Sequence, residues 1–309
     1  MQKEGQSIDN WIMKEIKTAD LGDTRLNHRL GNILEMLSRK PSGSIPTTAK
    51  GWSETKAAYR FFDNSEVTEE KILKPHRDAT IERMRKEPII LLPQDTTELN
   101  YTSKPQTKGL GKLSLESQQG MYLHPTIAIT PERVCLGIVD TQILVRSELH
   151  SKKKYDHLLP IIAYFLSYPN NITLSSCLFL SKILKILRPE SLPIEKKESV
   201  RWLNSYRVAQ ALAEQLPETQ IVSIADREGD IYEIFAEALL AKKESRAEFI
   251  IRASKDRILK EDGKEKDHKK LRKKAGEAPV LGIIGFDMPA TKSRKARHVT
   301  QEIRAISVA

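Results

Sequence analysis

The chain has 309 residues, with 51 Lys+Arg against 41 Asp+Glu and a formal net charge of +10. Hydrophobic residues make up 39% and charged residues 30%, which is enough for a core and too apolar for a disordered chain. The two cysteines, Cys135 and Cys177, lie far apart without a CxxC, which argues against a disulfide scaffold and a zinc finger; both read as buried small hydrophobes.

In chain order, the start (MQKEGQSIDNW) is polar and lacks the apolar region of a signal peptide, so the expected location is cytoplasmic. Residues 8–17 read as a short amphipathic helix. Residues 24–40 form a stronger one, with Leu26, Leu30, Ile33, Leu34 and Leu37 on one face. KPSGSIP (40–46) breaks it. Ser53 is the expected N-cap of a helix over 54–64, and a further helix runs from about Thr68 to Lys86 with Pro75 inside. The first 86 residues therefore read as all-helical. From Pro88 the character changes. PIILLPQDTTELNY (88–101) has the pattern of a buried strand ending in polar residues, and HPTIAIT (124–130) and 134–146 are β-rich. TQIVSIAD (219–226) is another buried strand, followed by a helix over 227–243 with Ile231, Phe235 and Leu239 on one face. EFIIRAS (248–254), 280–288 and 301–309 read as strands, so a mixed α/β sheet is expected. Residues 158–181 carry no charge, but Pro160, Pro169, Asn170 and Asn171 split them into pieces too short to span a membrane; a buried or poorly ordered insertion fits better.

Charge is unevenly spread. Residues 1–70 hold 10 basic and 11 acidic groups, whereas 251–309 hold 16 and 8. A concentrated basic excess suits a polyanion, of which nucleic acid is the commonest; a solvated lysine-rich loop over 260–274 is the alternative. Any DNA affinity of the N-terminal helices needs a local basic face, for which Arg25, Arg29, Arg39, Lys50, Lys56 and Arg60 are candidates, unless they are ordinary exposed helix residues.

Two aspartates stand out. Asp95 ends the apolar strand IILLPQ, and Asp226 ends IVSIA just before a helix. Carboxylates at the ends of buried strands can converge at the lip of a sheet, and two such oxygen ligands suit Mg²⁺ or Mn²⁺ for phosphodiester cleavage. Equally, each could cap a turn or a helix. There is no P-loop, GLG (109–111) lacks the rest of a dinucleotide fingerprint, and the seven histidines form no HxH or HExxH pattern.

Five segments occur in a telling order: GWSETKAAYRFFDN (51–64), QDTTELNYT (94–102), IEKKESVRWLNSY (194–206), ADREGDIYEIF (225–235) and FIIRASKDR (249–257). Together they resemble the DDE transposases of the bacterial insertion-sequence-four group, the group of the transposon-five transposase. The resemblance covers nearly the whole chain outside about 155–190. It implies an α+β multidomain protein, with an all-α domain over 1–68 that binds transposon-end DNA and a mixed α/β ribonuclease H-like core over 69–309. Residues 155–190 would be an atypical apolar insert and about 255–309 a partial β-rich insertion. It further implies that Asp95 and Asp226 are the first two catalytic carboxylates and hold the divalent metal. Arg252, Lys255 and Arg257 would face DNA. The implied partners are transposon ends, target DNA and a second copy in a synaptic homodimer, with no membrane. The family's third carboxylate, in a Tyr-x₂-Arg-x₃-Glu-x₆-Lys pattern, does not occur in this sequence. Glu302 is no convincing substitute, so the resemblance implies a C-terminally truncated chain with an incomplete active site. A DNA-binding fragment or inhibitor, or a degenerate product, is the alternative.

Overall fold

The N-terminal helices start and stop for local reasons. The computed structural model describes residues 11–146, 193–242, 245–259 and 270–307; the apolar stretch 158–181 and Cys177 lie outside the described residues. Residues 11–15 are helical (α1). Helix α2 (Thr24–Arg39) is capped by Asp23, whose carboxylate accepts the Arg25 N–H at 2.8 Å. A short α3 (Ile45–Thr48) fills the expected break. Helix α4 (Trp52–Phe62) begins two residues before the sequence reading, so Gly51, not Ser53, is the N-cap. The reason is Glu54, which reaches back to accept the Lys50 backbone N–H at 2.5 Å and closes the first turn. Helix α5 (Glu69–Met84) opens on Thr68, with Glu69 and Glu70 complementing the helix dipole. Leu21, Leu30, Ile33, Met36, Ala58 and Phe61 form a small core of their own under α2 and α4.

Beyond α5 lies a seven-stranded sheet. Its strands are β1 (Ile89–Pro93), β2 (Thr97–Asn100), β3 (Gly111–Lys112), β4 (Gln119–Ile129), β5 (Cys135–Leu144), β6 (Gln220–Ala225) and β7 (Glu248–Ile251). The order is β2-β4-β1-β6-β7, with β3 and β5 also pairing β4. Strands β1, β6 and β7 run parallel, and β4 is antiparallel to each of its neighbours. Strand β4 begins five residues before the predicted 124, because β2 and β3 recruit Gln119–Leu123. Helix α6 (Val200–Gln215) covers the sheet with Trp202, Tyr206, Ala209 and Ala213, a buried stripe at helical spacing. The Tyr206 hydroxyl donates to the Ala247 carbonyl at 3.1 Å, and burial pushes its pKa up to about 12. Two further corrections concern the helix after β6. A 3₁₀ turn (Arg227–Gly229) comes first and α7 spans Tyr232–Leu240. Its buried residues are Ile234 and Ala238, while Leu239 points to solvent at 81% exposure. Cys135 is also exposed, standing at the open start of β5.

Residues 1–252 form one compact unit and 253–309 another. The second holds α8 (Leu271–Glu277) and an antiparallel ribbon of β8 (Val280–Met288) and β9 (Arg297–Arg304). The last strand lies four residues before the predicted start, because Arg297 already pairs Met288. Among the described residues no helix is long and apolar enough to cross a membrane.

A half-buried polar clamp fastens α1 to α5 and β5. Glu15 accepts from Arg83 Nη1 at 2.8 Å and from His76 Nδ1. His76 Nε2 accepts the Ile138 N–H at 2.9 Å, so the ring proton lies on Nδ1, facing Glu15. Arg83 Nε donates to the Leu136 carbonyl at 2.7 Å. Gly137 between them has φ +143°, and a Cβ there would meet Thr80 Oγ1 at 2.2 Å, so only glycine permits this approach. Burial alone raises the Glu15 pKa, but the hydrogen bonds of His76 and Arg83 and the charge of Arg83 outweigh it and hold the group at about 2 instead of 4.5. A carboxyl depressed in the folded state stabilises above its unfolded pKa and loses that contribution as pH falls through the folded one. Glu15→Gln should therefore cost about 2–3 kcal/mol in urea unfolding at pH 7. The gap between variant and wild type should shrink as pH drops from 4.5 toward 2; an equal gap at pH 7 and pH 3 would contradict the clamp.

Candidate nucleic-acid interface and carboxylate edge

Helices α2 and α4 pack side by side and enclose an open groove of about 540 Å³. Arg25 and Arg29 are one turn apart on α2, and Lys56 and Arg60 are one turn apart on α4; all four line this groove. The same groove contains one carboxylate, Asp23. Arg25 binds it through Nη2 at 2.8 Å, and hydrogen bonding from Arg25 lowers the Asp23 pKa. Among the described residues Arg29, Lys56 and Arg60 make no ion pair, so the groove keeps an uncompensated positive field. Arg39 is outside it and pairs with Glu35. Charge counting misses two neighbours. Trp52 is 77% exposed and Tyr59 is 48% exposed, and both share a helical face with Lys56. The signal was present as aromatic and basic residues at spacings of three and four in GWSETKAAYRFF. Such faces suit a polyanion that also offers flat rings to stack upon.

The second site is the carboxyl edge of the parallel strands. Pro93 is paired with Ile224, and the Gln94 N–H donates to the Ile224 carbonyl at 3.1 Å. Asp95 and Asp226 each lie two residues beyond that matched pair, so they emerge at one level on adjacent strands. On the next strand the Arg252 N–H donates to the Ala225 carbonyl at 3.1 Å, which brings Arg252 to the same edge. Asp95 Oδ1 accepts the Thr96 N–H at 2.7 Å, and Asp226 Oδ1 accepts the Glu228 N–H at 2.8 Å. Both carboxylates are exposed, and neither forms an ion pair among the described residues. Two hard oxygen donors fit Mg²⁺, which is often held by one or two carboxylates with water and phosphate oxygens completing its shell. Among the described residues no three metal-ligating side chains cluster. Lys255 and Arg257 belong to the other compact unit, where the Arg257 carbonyl accepts the Leu271 N–H at 2.8 Å.

Side chains absent from the sequence-based list surround the base of this edge. His124 is fully buried on β4, edge-on to Trp202 at 4.7 Å. Its Nε2 meets Gln94 Oε1 at 3.1 Å and its Nδ1 meets Thr96 Oγ1 at 2.8 Å. Burial, reinforced by the charge of Arg201, pulls the His124 pKa down to about 4, so the ring is neutral at pH 7. Gln94 Oε1 can only accept, so the single ring proton sits on Nε2 and the Thr96 hydroxyl donates to Nδ1. Gln94 Nε2 in turn donates to Ser223 Oγ at 3.1 Å. Arg201 donates from Nε to Thr96 Oγ1 at 2.9 Å and from Nη2 to Glu228 Oε2 at 2.7 Å.

Comparison with known proteins bears on the first site. Residues 8–67 match a family model described as transposase DNA-binding. That span contains α2, α4 and all four cations of the groove, so this helical region is similar to the DNA-binding part of transposases and supports DNA as the partner.

Proposed function

We propose that the chain is a DDE-type transposase relative of the insertion-sequence-four group that binds transposon-end DNA through the α2–α4 groove. The observation that carries this reading is the convergence of Arg25, Arg29, Lys56 and Arg60 on one groove inside the matched span. Phosphates would bind the uncompensated guanidinium and ammonium groups, and Trp52 and Tyr59 would contact sugars or bases beside them. The sheet would act as a ribonuclease H-like core. Asp95 and Asp226 would hold Mg²⁺ or Mn²⁺, which when bound activates water and stabilises the leaving oxygen of a phosphodiester. Arg252, at the same edge, would draw the DNA backbone toward the two carboxylates. Target DNA, a second copy of the chain in a synaptic complex and a cytoplasmic location follow from the same reading.

A second reading is favoured by one sequence fact. No Tyr-x₂-Arg-x₃-Glu-x₆-Lys pattern supplies a third carboxylate. Residues 1–309 would then hold DNA ends with little or no cleavage of their own.

Two outcomes test these readings. In gel shifts with duplex DNA, the Arg29→Ala/Lys56→Ala/Arg60→Ala variant should bind more weakly. Its slope of log affinity against log salt should be shallower by about 3, at roughly 0.9 per lost phosphate contact. An unchanged slope would remove the groove as the interface. In a Mg²⁺-dependent nicking assay on end DNA, residues 1–309 should show little or no turnover; clear turnover abolished by Asp226→Asn would restore a complete enzyme.

A further inference from the structure

The ends of β1 and β6 are joined by backbone only as far as the Gln94–Ile224 hydrogen bond. Beyond it the chain diverges, into β2 after Asp95 and into the 3₁₀ turn after Asp226. No described main-chain hydrogen bond links the two carboxylate-bearing turns past that point. Their relative placement therefore depends on side chains, and one side chain reaches both.

We propose that Arg201 is a positioning residue that locks the Asp95 turn to the Asp226 turn. This rests on the carboxylate-edge reading above. All three guanidinium nitrogens are used, each on a different segment. Nη1 donates to the Glu198 carbonyl at 2.8 Å, anchoring the group at the start of α6. Nε donates to Thr96 beside Asp95, and Nη2 donates to Glu228 in the turn capped by Asp226. The Arg201 side chain is 13% exposed and its bond to Thr96 is partly buried, whereas Glu228 at the other end is 61% exposed, so the Thr96 bond is the better shielded of the two. A planar fork with fixed donor directions is required; a lysine ammonium could satisfy one turn but not the same three-way geometry.

The Thr96 end of the lock is itself fixed. Thr96 accepts from Arg201 because its own proton is committed to His124 Nδ1. His124 is held by Gln94, and Gln94 by Ser223, three residues before Asp226 on β6. The six side chains thus run from β6 through β1, β4, the Asp95 turn and α6 back to the β6 turn. Each link along this path pairs a donor with an acceptor. Gly229 lets the turn fold back on the end of β6, since a Cβ there would lie 2.6 Å from Ala225 Cβ, with Trp202, next to Arg201, at 3.2 Å. A group acting only as a general stabiliser would tie α6 to one neighbour. Arg201 instead bridges the two turns whose spacing decides whether both carboxylates can reach one ion.

Hydrogen exchange of the full chain, read by mass spectrometry, tests this without metal or DNA. The variants are Arg201→Gln, Arg201→Lys, Thr96→Val and Thr96→Ser. Arg201→Gln and Thr96→Val should speed exchange in peptides covering 94–98 and 226–230 together, by about tenfold, with 30–61 unchanged. Thr96→Ser, which keeps the hydroxyl, should restore both segments, whereas Arg201→Lys should not. Acceleration of only one turn, of neither, or of the whole chain equally in Thr96→Val would overturn the proposal. Should Arg201→Gln fail to fold, Thr96→Val against Thr96→Ser decides alone. A parallel Mn²⁺ titration by electron paramagnetic resonance separates the underlying reading. Asp95→Asn should abolish Mn²⁺ binding and Thr96→Val should weaken it about tenfold. Unaltered Mn²⁺ binding in Asp95→Asn would refute the metal reading and leave the exchange result standing.

Discussion

The parallel pairing of β1 on β6 governs the sheet half of the molecule. Ile89 opposite Gln220 through Pro93 opposite Ile224 is a five-residue register between two buried strands. A slip of one residue would turn Leu92 and Ile90, both fully buried, toward the other face of the sheet. The hydrophobic cost of that slip fixes the register, and the register fixes the level at which Asp95, Asp226 and Arg252 leave the sheet. Helix α6 then covers the core and delivers Arg201 to the strand ends from its first turn. The edge geometry is thus a consequence of packing, completed by a path of side-chain hydrogen bonds from Ser223 to Glu228.

The helical half works by a different balance. Its net charge is slightly negative over residues 1–70, yet two helices present four cations to one groove with a single nearby carboxylate. Local arrangement outweighs the bulk count because screening confines each charge to about 10 Å at moderate salt. The separate small core of Leu21, Leu30, Ile33, Met36, Ala58 and Phe61 holds α2 and α4 in that arrangement. The Glu15–His76–Arg83 clamp ties α1 to α5 and β5, giving the helices and the sheet a defined connection.

Much of the architecture was legible in periodicity. The apolar stripe of α2, the continuous runs of β1 and β6 and the ends of both strands at aspartates are local signals, and local signals survive reading without coordinates. Element starts were less legible where a side chain or neighbouring strand decides them, as with Glu54 at α4 and the recruitment of Gln119–Leu123 into β4. The face of α7 was misread because the 3₁₀ turn delays the helix by several residues. His124 and Arg201 were not found, for a physical reason. Thr96 and Arg201 lie 105 residues apart, and Gln94 and Ser223 lie 129 apart. A lone histidine on an alternating strand and an arginine in a helical first turn carry no local mark; only the sheet register brings them to the same place.

The central claim is that DNA is engaged through the α2–α4 groove. It is tested most directly by mapping where duplex DNA protects the full chain from hydrogen exchange. The account predicts slowed exchange concentrated in residues 24–39 and 52–62 at low salt, lost as salt rises. Protection absent from both helices while DNA is demonstrably bound would contradict it.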